Sequence, residues 1–245
     1  MAILEEVGDL ARLLSLQSNV GIEAYYDGRW DDALDWYHRS GESASRVGDV
    51  VSVALAQSNE AEILSDRGQF GEARACFEQA LRVWRAADYR IGVALATSNL
   101  GRVMARSGQF EDAHRLLDDA LAQFEELGAE AYVGETRARL AECLVLEGQY
   151  EKAFAALAPL CEPGSPQLAT AERLTGYAVV QSRAGFEEAS PHFERSLKAA
   201  EAAGAEYEVG LTLRAIAETS GVDDGRATEI LDRLGVVSTP SVPLP

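Results

Sequence analysis

Proline is missing from the first 158 residues of this 245-residue chain; all seven prolines fall at Pro159 or later. That long stretch therefore has almost no internal helix breakers, since proline is the strongest of them. Cysteine is equally scarce. Cys76, Cys143 and Cys161 are odd in number and widely spaced, which excludes a disulfide framework and reads as reduced cytosolic thiols. No run approaches the roughly 18 apolar residues of a membrane span. The opening Met1-Ala-Ile-Leu-Glu-Glu lacks the basic and apolar regions of a secretory signal. A cytoplasmic protein is expected. Basic residues are in deficit, 22 Lys+Arg against 40 Asp+Glu, a net charge of −18, and the arginines are scattered singly. Such a chain repels phosphate backbones and anionic lipid, so neither nucleic acid nor membrane is expected as a partner. What remains is ordinary globular composition, 47% hydrophobic and 25% charged, with ample material for a core.

What is present is a repeat. Gly28-Arg-Trp-Asp-Asp-Ala33, Gly68-Gln-Phe-Gly-Glu-Ala73, Gly108-Gln-Phe-Glu-Asp-Ala113 and Gly148-Gln-Tyr-Glu-Lys-Ala153 recur at steps of 40. A small residue stands seven places before each glycine: Gly21, Ala61, Gly101 and Ala141. Thirteen places earlier again come Gly8, Gly48, Asp88 and Gly128; Asp is among the few residues that tolerate a left-handed backbone. Each copy reads as two helices. The first ends before the Gly68-type turn, where a left-handed residue terminates a helix. The second opens on an acidic turn suited to the positive end of the helix dipole. It continues with apolar residues at helical spacing, such as Ala73, Phe77, Ala80, Leu81 and Trp84. Ala33, Ala73, Ala113 and Ala153 mark the helix crossing, and Tyr37, Phe77, Leu117 and Leu157 fill the space between repeats.

The pattern Gly101, Gly108, Ala113, Leu117, Ala120 resembles the tetratricopeptide repeat, whose usual length is about 34 residues; copies of 40 resemble its long-helix variety. The resemblance covers residues 9–160 well and 167–234 loosely. It implies an all-α, right-handed α-α superhelix of about five to six helix pairs. The segment Cys161-Glu-Pro-Gly-Ser-Pro166 is a turn-rich break. A divergent fifth pair is expected over 168–183 and 186–203, with its Ala184-Gly185 turn one residue out of register, and a short capping pair over 207–219 and 226–234. Residues 235–245 form a Pro-rich tail, extended or disordered.

The start matches the last two turns of a second helix: Ala2-Ile-Leu-Glu-Glu-Val-Gly8 aligns with Ala122-Gln-Phe-Glu-Glu-Leu-Gly128. Residues 1–8 therefore read as a partial helix of a preceding repeat. Either the chain is the C-terminal portion of a longer protein, or the uncovered Ile3, Leu4 and Val7 mediate self-association. Residues 24–33, 62–68, 83–87 and the ending Leu234-Gly-Val-Val-Ser-Thr-Pro240 are similar to the C-terminal repeat arrays of actinobacterial class III adenylate/guanylate cyclases that also carry an ATPase domain. That resemblance implies a sensory or scaffolding segment of such an enzyme, with no catalytic residue in this chain.

Catalytic constellations are lacking. There is no Gly-rich phosphate loop ending in Gly-Lys-Ser/Thr, no dinucleotide fingerprint and no His-Glu-x-x-His. His38, His114 and His192 fall on second helices of different repeats without a ligand partner at helical spacing. Asp223-Asp224-Gly225 lacks the alternation of a calcium loop and reads as a turn capping the next helix. No catalytic residue, cofactor or metal is expected. The informative positions lie on the first helices. Asn19, Asn59 and Asn99 recur at steps of 40, with Arg139 in the fourth copy, and the register places them on the concave groove. An amide ladder can hold an extended peptide by its main chain, or it can bond to neighbouring helices and fix the repeat spacing; both readings stand. Arg139 suits an acidic group. Glu62, Arg102, Arg106 and Glu142 are further groove positions, with Leu55, Asp66, Leu95 and Glu135 beside them. The function expected is a protein-interaction scaffold that binds a peptide or partner helix in its groove, in signalling or regulation. The alternative is the regulatory segment of a larger cyclase.

Overall fold

The computed structural model describes residues 10–223 and 225–245. The partial-helix reading of residues 1–8, with Ile3, Leu4, Val7 and Gly8, lies outside the described residues, as does Asp224. Twelve α-helices and no strand occur among the described residues. They pair as α1 (Leu10–Tyr26) with α2 (Trp30–Arg46), α3 (Val50–Asp66) with α4 (Phe70–Ala86), and α5 (Arg90–Arg106) with α6 (Phe110–Leu127). Then come α7 (Glu130–Leu146) with α8 (Tyr150–Leu157), α9 (Leu168–Gln181) with α10 (Phe186–Ala203), and α11 (Glu206–Ser220) with α12 (Arg226–Arg233). The chain is an all-α superhelix of tetratricopeptide-like helix pairs.

The turns explain the strict register. After α3, Gly68 takes φ +85°, and Gln69 N–H donates to the Leu64 carbonyl at 2.8 Å. This six-to-one bond satisfies a carbonyl that the helix end leaves free. The same bond closes α5 and α7, from Gln109 to Met104 and from Gln149 to Leu144. Between repeats Asp88 adopts φ +52° where Gly48 and Gly128 have +72° and +65°, so the one departure from glycine keeps the left-handed backbone. In the fifth pair Arg183 carries φ +65°, which accounts for that turn's shift by one residue.

Packing follows from the small positions. Ala33, Ala73, Ala113 and Ala153 are fully buried. The apolar residue four places later meets the small residue of the preceding helix, as Leu117 meets Gly101 and Phe77 meets Ala61. The core is accordingly a string of clusters between neighbouring helices, as stacked repeats require. Pro159 cuts α8 short, and Ala158–Leu160 continues as a single 3-10 turn before the 161–167 loop.

The two ends of the array meet. The Trp30 ring lies 5.1 Å from that of Tyr207, and Leu234, Ile230 and Val236 pack with Ala24, Trp30, Tyr37 and Ile63. The last helix pair thus closes against the first. The C-terminal tail is extended, and it is docked: Val237 N–H donates to the Arg67 carbonyl at 2.8 Å.

Candidate functional site

The concave face carries side chains at fixed steps of 40. One register position reads Glu62, Arg102, Glu142, and another reads Tyr26, Asp66, Arg106, Leu146. Stacking the repeats therefore places opposite charges side by side on α3, α5 and α7. Asp66 is fully buried and accepts from Arg102 Nη2, Arg106 Nη1 (both 2.8 Å) and Tyr25 Oη (2.5 Å). Arg106 reaches the other way to Glu142, with Nη2 at 2.9 Å and Nε at 3.2 Å from Oε1. Burial alone would raise the Glu142 carboxyl; Arg106 and Arg102 outweigh it and hold the pKa at about 2. Burial also disfavours charge on Arg106, yet the facing Glu142 and Asp66 keep it protonated. A buried network like this stands only because each charge has partners.

These helices wall a cavity of about 740 Å³. Tyr25, Tyr26, Trp30 and Tyr207 give its lining an aromatic part, and Ala199, Ala202, Ala203 and Ala205 a smooth apolar part. The loop and first turn at Ser165–Thr170 form a rim, and Arg173 with Glu208 closes the charged row. Most charges here are committed to each other. Glu62 is the least engaged: among the described residues its ion pair is with Arg139 at 3.6 Å, and its side chain is 31% exposed. Burial raises its carboxyl to about 7 against the opposing pull of Arg139. The Tyr207 hydroxyl is likewise pushed up to about 12 by burial.

Glu62, Arg102, Arg106, Arg139 and Glu142 all line this cavity. The three asparagines are not among its lining residues. Asn19 is exposed, Asn59 is half-buried, and Asn99 is buried with its Oδ1 accepting from Arg139 Nη1 at 2.6 Å. Arg139 also donates to Ser98 Oγ and Glu135, so Asn99 serves to aim a cavity arginine. The aromatic side escaped the sequence reading. Tyr26 shares a register with Asp66 and Arg106, which is a usable signal. Tyr207 comes into place only through closure of the array.

The histidines lie elsewhere: His114 pairs with Glu147, His192 with Glu172 and His38 with Glu42. Among the described residues no group of three or more His, Cys, Asp or Glu is arranged to hold a metal ion. No described helix is long and apolar enough to cross a membrane.

With this geometry the comparisons agree on the class. The tetratricopeptide-repeat family profile matches residues 52–126 and 93–162, so repeats of this kind are present. The fold is similar to a Rap protein solved in complex with competence and sporulation factor, with TM-score 0.69 and 19% identity over 90% of this chain. This chain spans 63% of the length of that one. It is also similar to the Rap conjugation gene regulator of plasmid pLS20, solved with the Phr* peptide, with TM-score 0.68 and 14% identity. That match covers 94% of this chain and 74% of the other. No curated protein matches by sequence.

Proposed function

We propose that this chain is a protein-interaction module that binds a peptide, or an extended segment of a partner protein, in its concave cavity. The observation that carries this reading is the cavity itself: preformed, about 740 Å³, and lined by both aromatic and charged side chains. A groove already ordered before binding loses little entropy on capture. The two fold relatives solved with their ligands support the same use of the architecture. Recognition, not catalysis, is the task. Glu62, which lines the cavity together with Tyr25 and Tyr26, suits a cationic group such as a lysine, an arginine or a peptide amino terminus, held by the carboxylate and the aromatic faces. A regulatory role fits the resemblance of the repeats to cyclase-linked arrays.

Selection of displayed random peptides against the chain tests this. The expected result is enrichment of sequences with a basic residue, bound about tenfold more weakly by Glu62→Gln, equivalent to about 1.4 kcal/mol. Enriched peptides whose affinity ignores Glu62→Gln would remove the cationic preference. Failure to enrich any peptide would remove the reading as a whole.

A further inference from the structure

The tail from Leu234 to Pro245 has no charged side chain, and it is held as a bound peptide is held. At one end Arg67 grips it twice: its carbonyl accepts from Val237 N–H, and its Nε donates to the Leu234 carbonyl at 2.9 Å. Ser238 then crosses the Gly68 turn so closely that a Cβ on Gly68 would stand 2.4 Å from the Ser238 carbonyl oxygen. Farther on, Arg214 Nη1 donates to Thr239 Oγ1 at 3.1 Å. At the other end Gln181 Nε2 is shared between the Val145 carbonyl (2.7 Å) and the Pro243 carbonyl (3.1 Å). Val242 packs against the clusters containing Val145 and Leu146, and Pro243 touches the Gly148 turn.

The chemistry of this edge is selective. Its donors, Arg67, Gln181 and Arg214, meet carbonyl and hydroxyl oxygens. An uncharged segment docks on a chain of net charge −18 without repulsion. Pro240 and Pro243 have no N–H to leave unsatisfied and hold the segment extended. Thr239, Pro240 and Val242 also cover a residual space of about 20 Å³ bordered by Glu142 and Arg173, which line the main cavity as well.

We propose that the edge formed by the C-terminal ends of α3, α7 and α9, with Arg214 of α11, is a second peptide-binding site. It takes an uncharged, proline-bearing extended segment, and residues 236–243 are its occupant in cis. The site is distinct from the main cavity and borders it through Glu142 and Arg173. Because one strap touches the second, fourth, fifth and sixth helix pairs, its occupancy fixes how those pairs stand to each other.

The test is complementation in trans. A chain lacking residues 236–245 is titrated with a fluorescent synthetic peptide of residues 236–245, and folding of the shortened chain is checked by circular dichroism. The expected result is saturable one-to-one binding that restores the melting temperature lost on truncation. Binding to the full chain should be at least about tenfold weaker, because the tethered tail competes at an effective concentration in the millimolar range. A Val242→Asp peptide should bind at least about tenfold more weakly than the native peptide. A folded, shortened chain that ignores the native peptide overturns the proposal, as does equal binding of the Val242→Asp peptide. Should the shortened chain not fold, amide exchange in the full chain decides. Protection of the Val237 amide, lost in full-length Val242→Asp, supports the site; an unprotected Val237 amide in the native chain overturns it.

Discussion

A Cβ added at Gly101 would lie 2.6 Å from Leu117 Cγ, and one at Gly176 would lie 2.5 Å from Phe193 Cε1. At these crossings the absence of a side chain sets the distance between helices. Gly101→Ala should cost about 1–3 kcal/mol through overpacking, read from urea denaturation; an unchanged midpoint would mean that the helices can part freely. Two carboxyls of the charged row behave oppositely with pH. Glu142 is held at about 2, so its contribution is present above its ordinary value and is lost as pH falls. Glu62 is raised to about 7 from 4.5, so the folded chain binds more protons there than the unfolded one. Its contribution is full below about pH 4.5 and lost as pH rises through about 7. Glu62→Gln should therefore flatten the decline in melting temperature across that window, measured by calorimetry in a pH series. A decline identical in both proteins would assign it to another group.

At the level of elements, the first helices divide their duties by register. Asn99 on α5 is buried beneath Arg139 of α7, whereas Asn19 on α1 is exposed. Asn99→Ala leaves a buried guanidinium short of an acceptor and should cost about 1–3 kcal/mol. Asn19→Ala should stay within about 0.5 kcal/mol. Thermal or urea melts check both, and equal effects would count against the division. These asparagines also show what was legible in the sequence. A step of 40 located every turn of the first four pairs, because left-handed backbone demands Gly or a tolerant residue such as Asp88. The same step set Glu62, Arg102 and Glu142 in one row. It could not tell which rungs would be buried, since an asparagine ladder looks uniform in sequence while burial depends on its position along the array. The aromatic wall was illegible for a related reason: Tyr207 belongs to the short capping pair and reaches Trp30 only through closure of the array.

That closure changes how the whole molecule should unfold. An open solenoid is stabilised by neighbour contacts, so a defect in the last pair is felt locally and the first pair frays independently. Here Tyr207 of α11 packs on Trp30 of α2 and receives a long contact from Arg106 of α5, while Arg233 of α12 pairs with Glu206 beside the Gly28 turn. The first pair therefore has neighbours on both sides, and its stability depends on residues far along the chain. Tyr207→Ala should accelerate amide exchange in α1 and α2 by about tenfold, since loss of a partly buried aromatic contact is worth about the 1.4 kcal/mol of one decade. The contact of α6 with α7, where Phe110 and Leu117 pack with Cys143 in the middle of the array, should change much less. Exchange that quickens only in α9–α12 would mean that the ends touch without supporting each other. If α1 and α2 respond, the two ends of the array support each other and the first pair is stabilised by closure as well as by its neighbour in sequence.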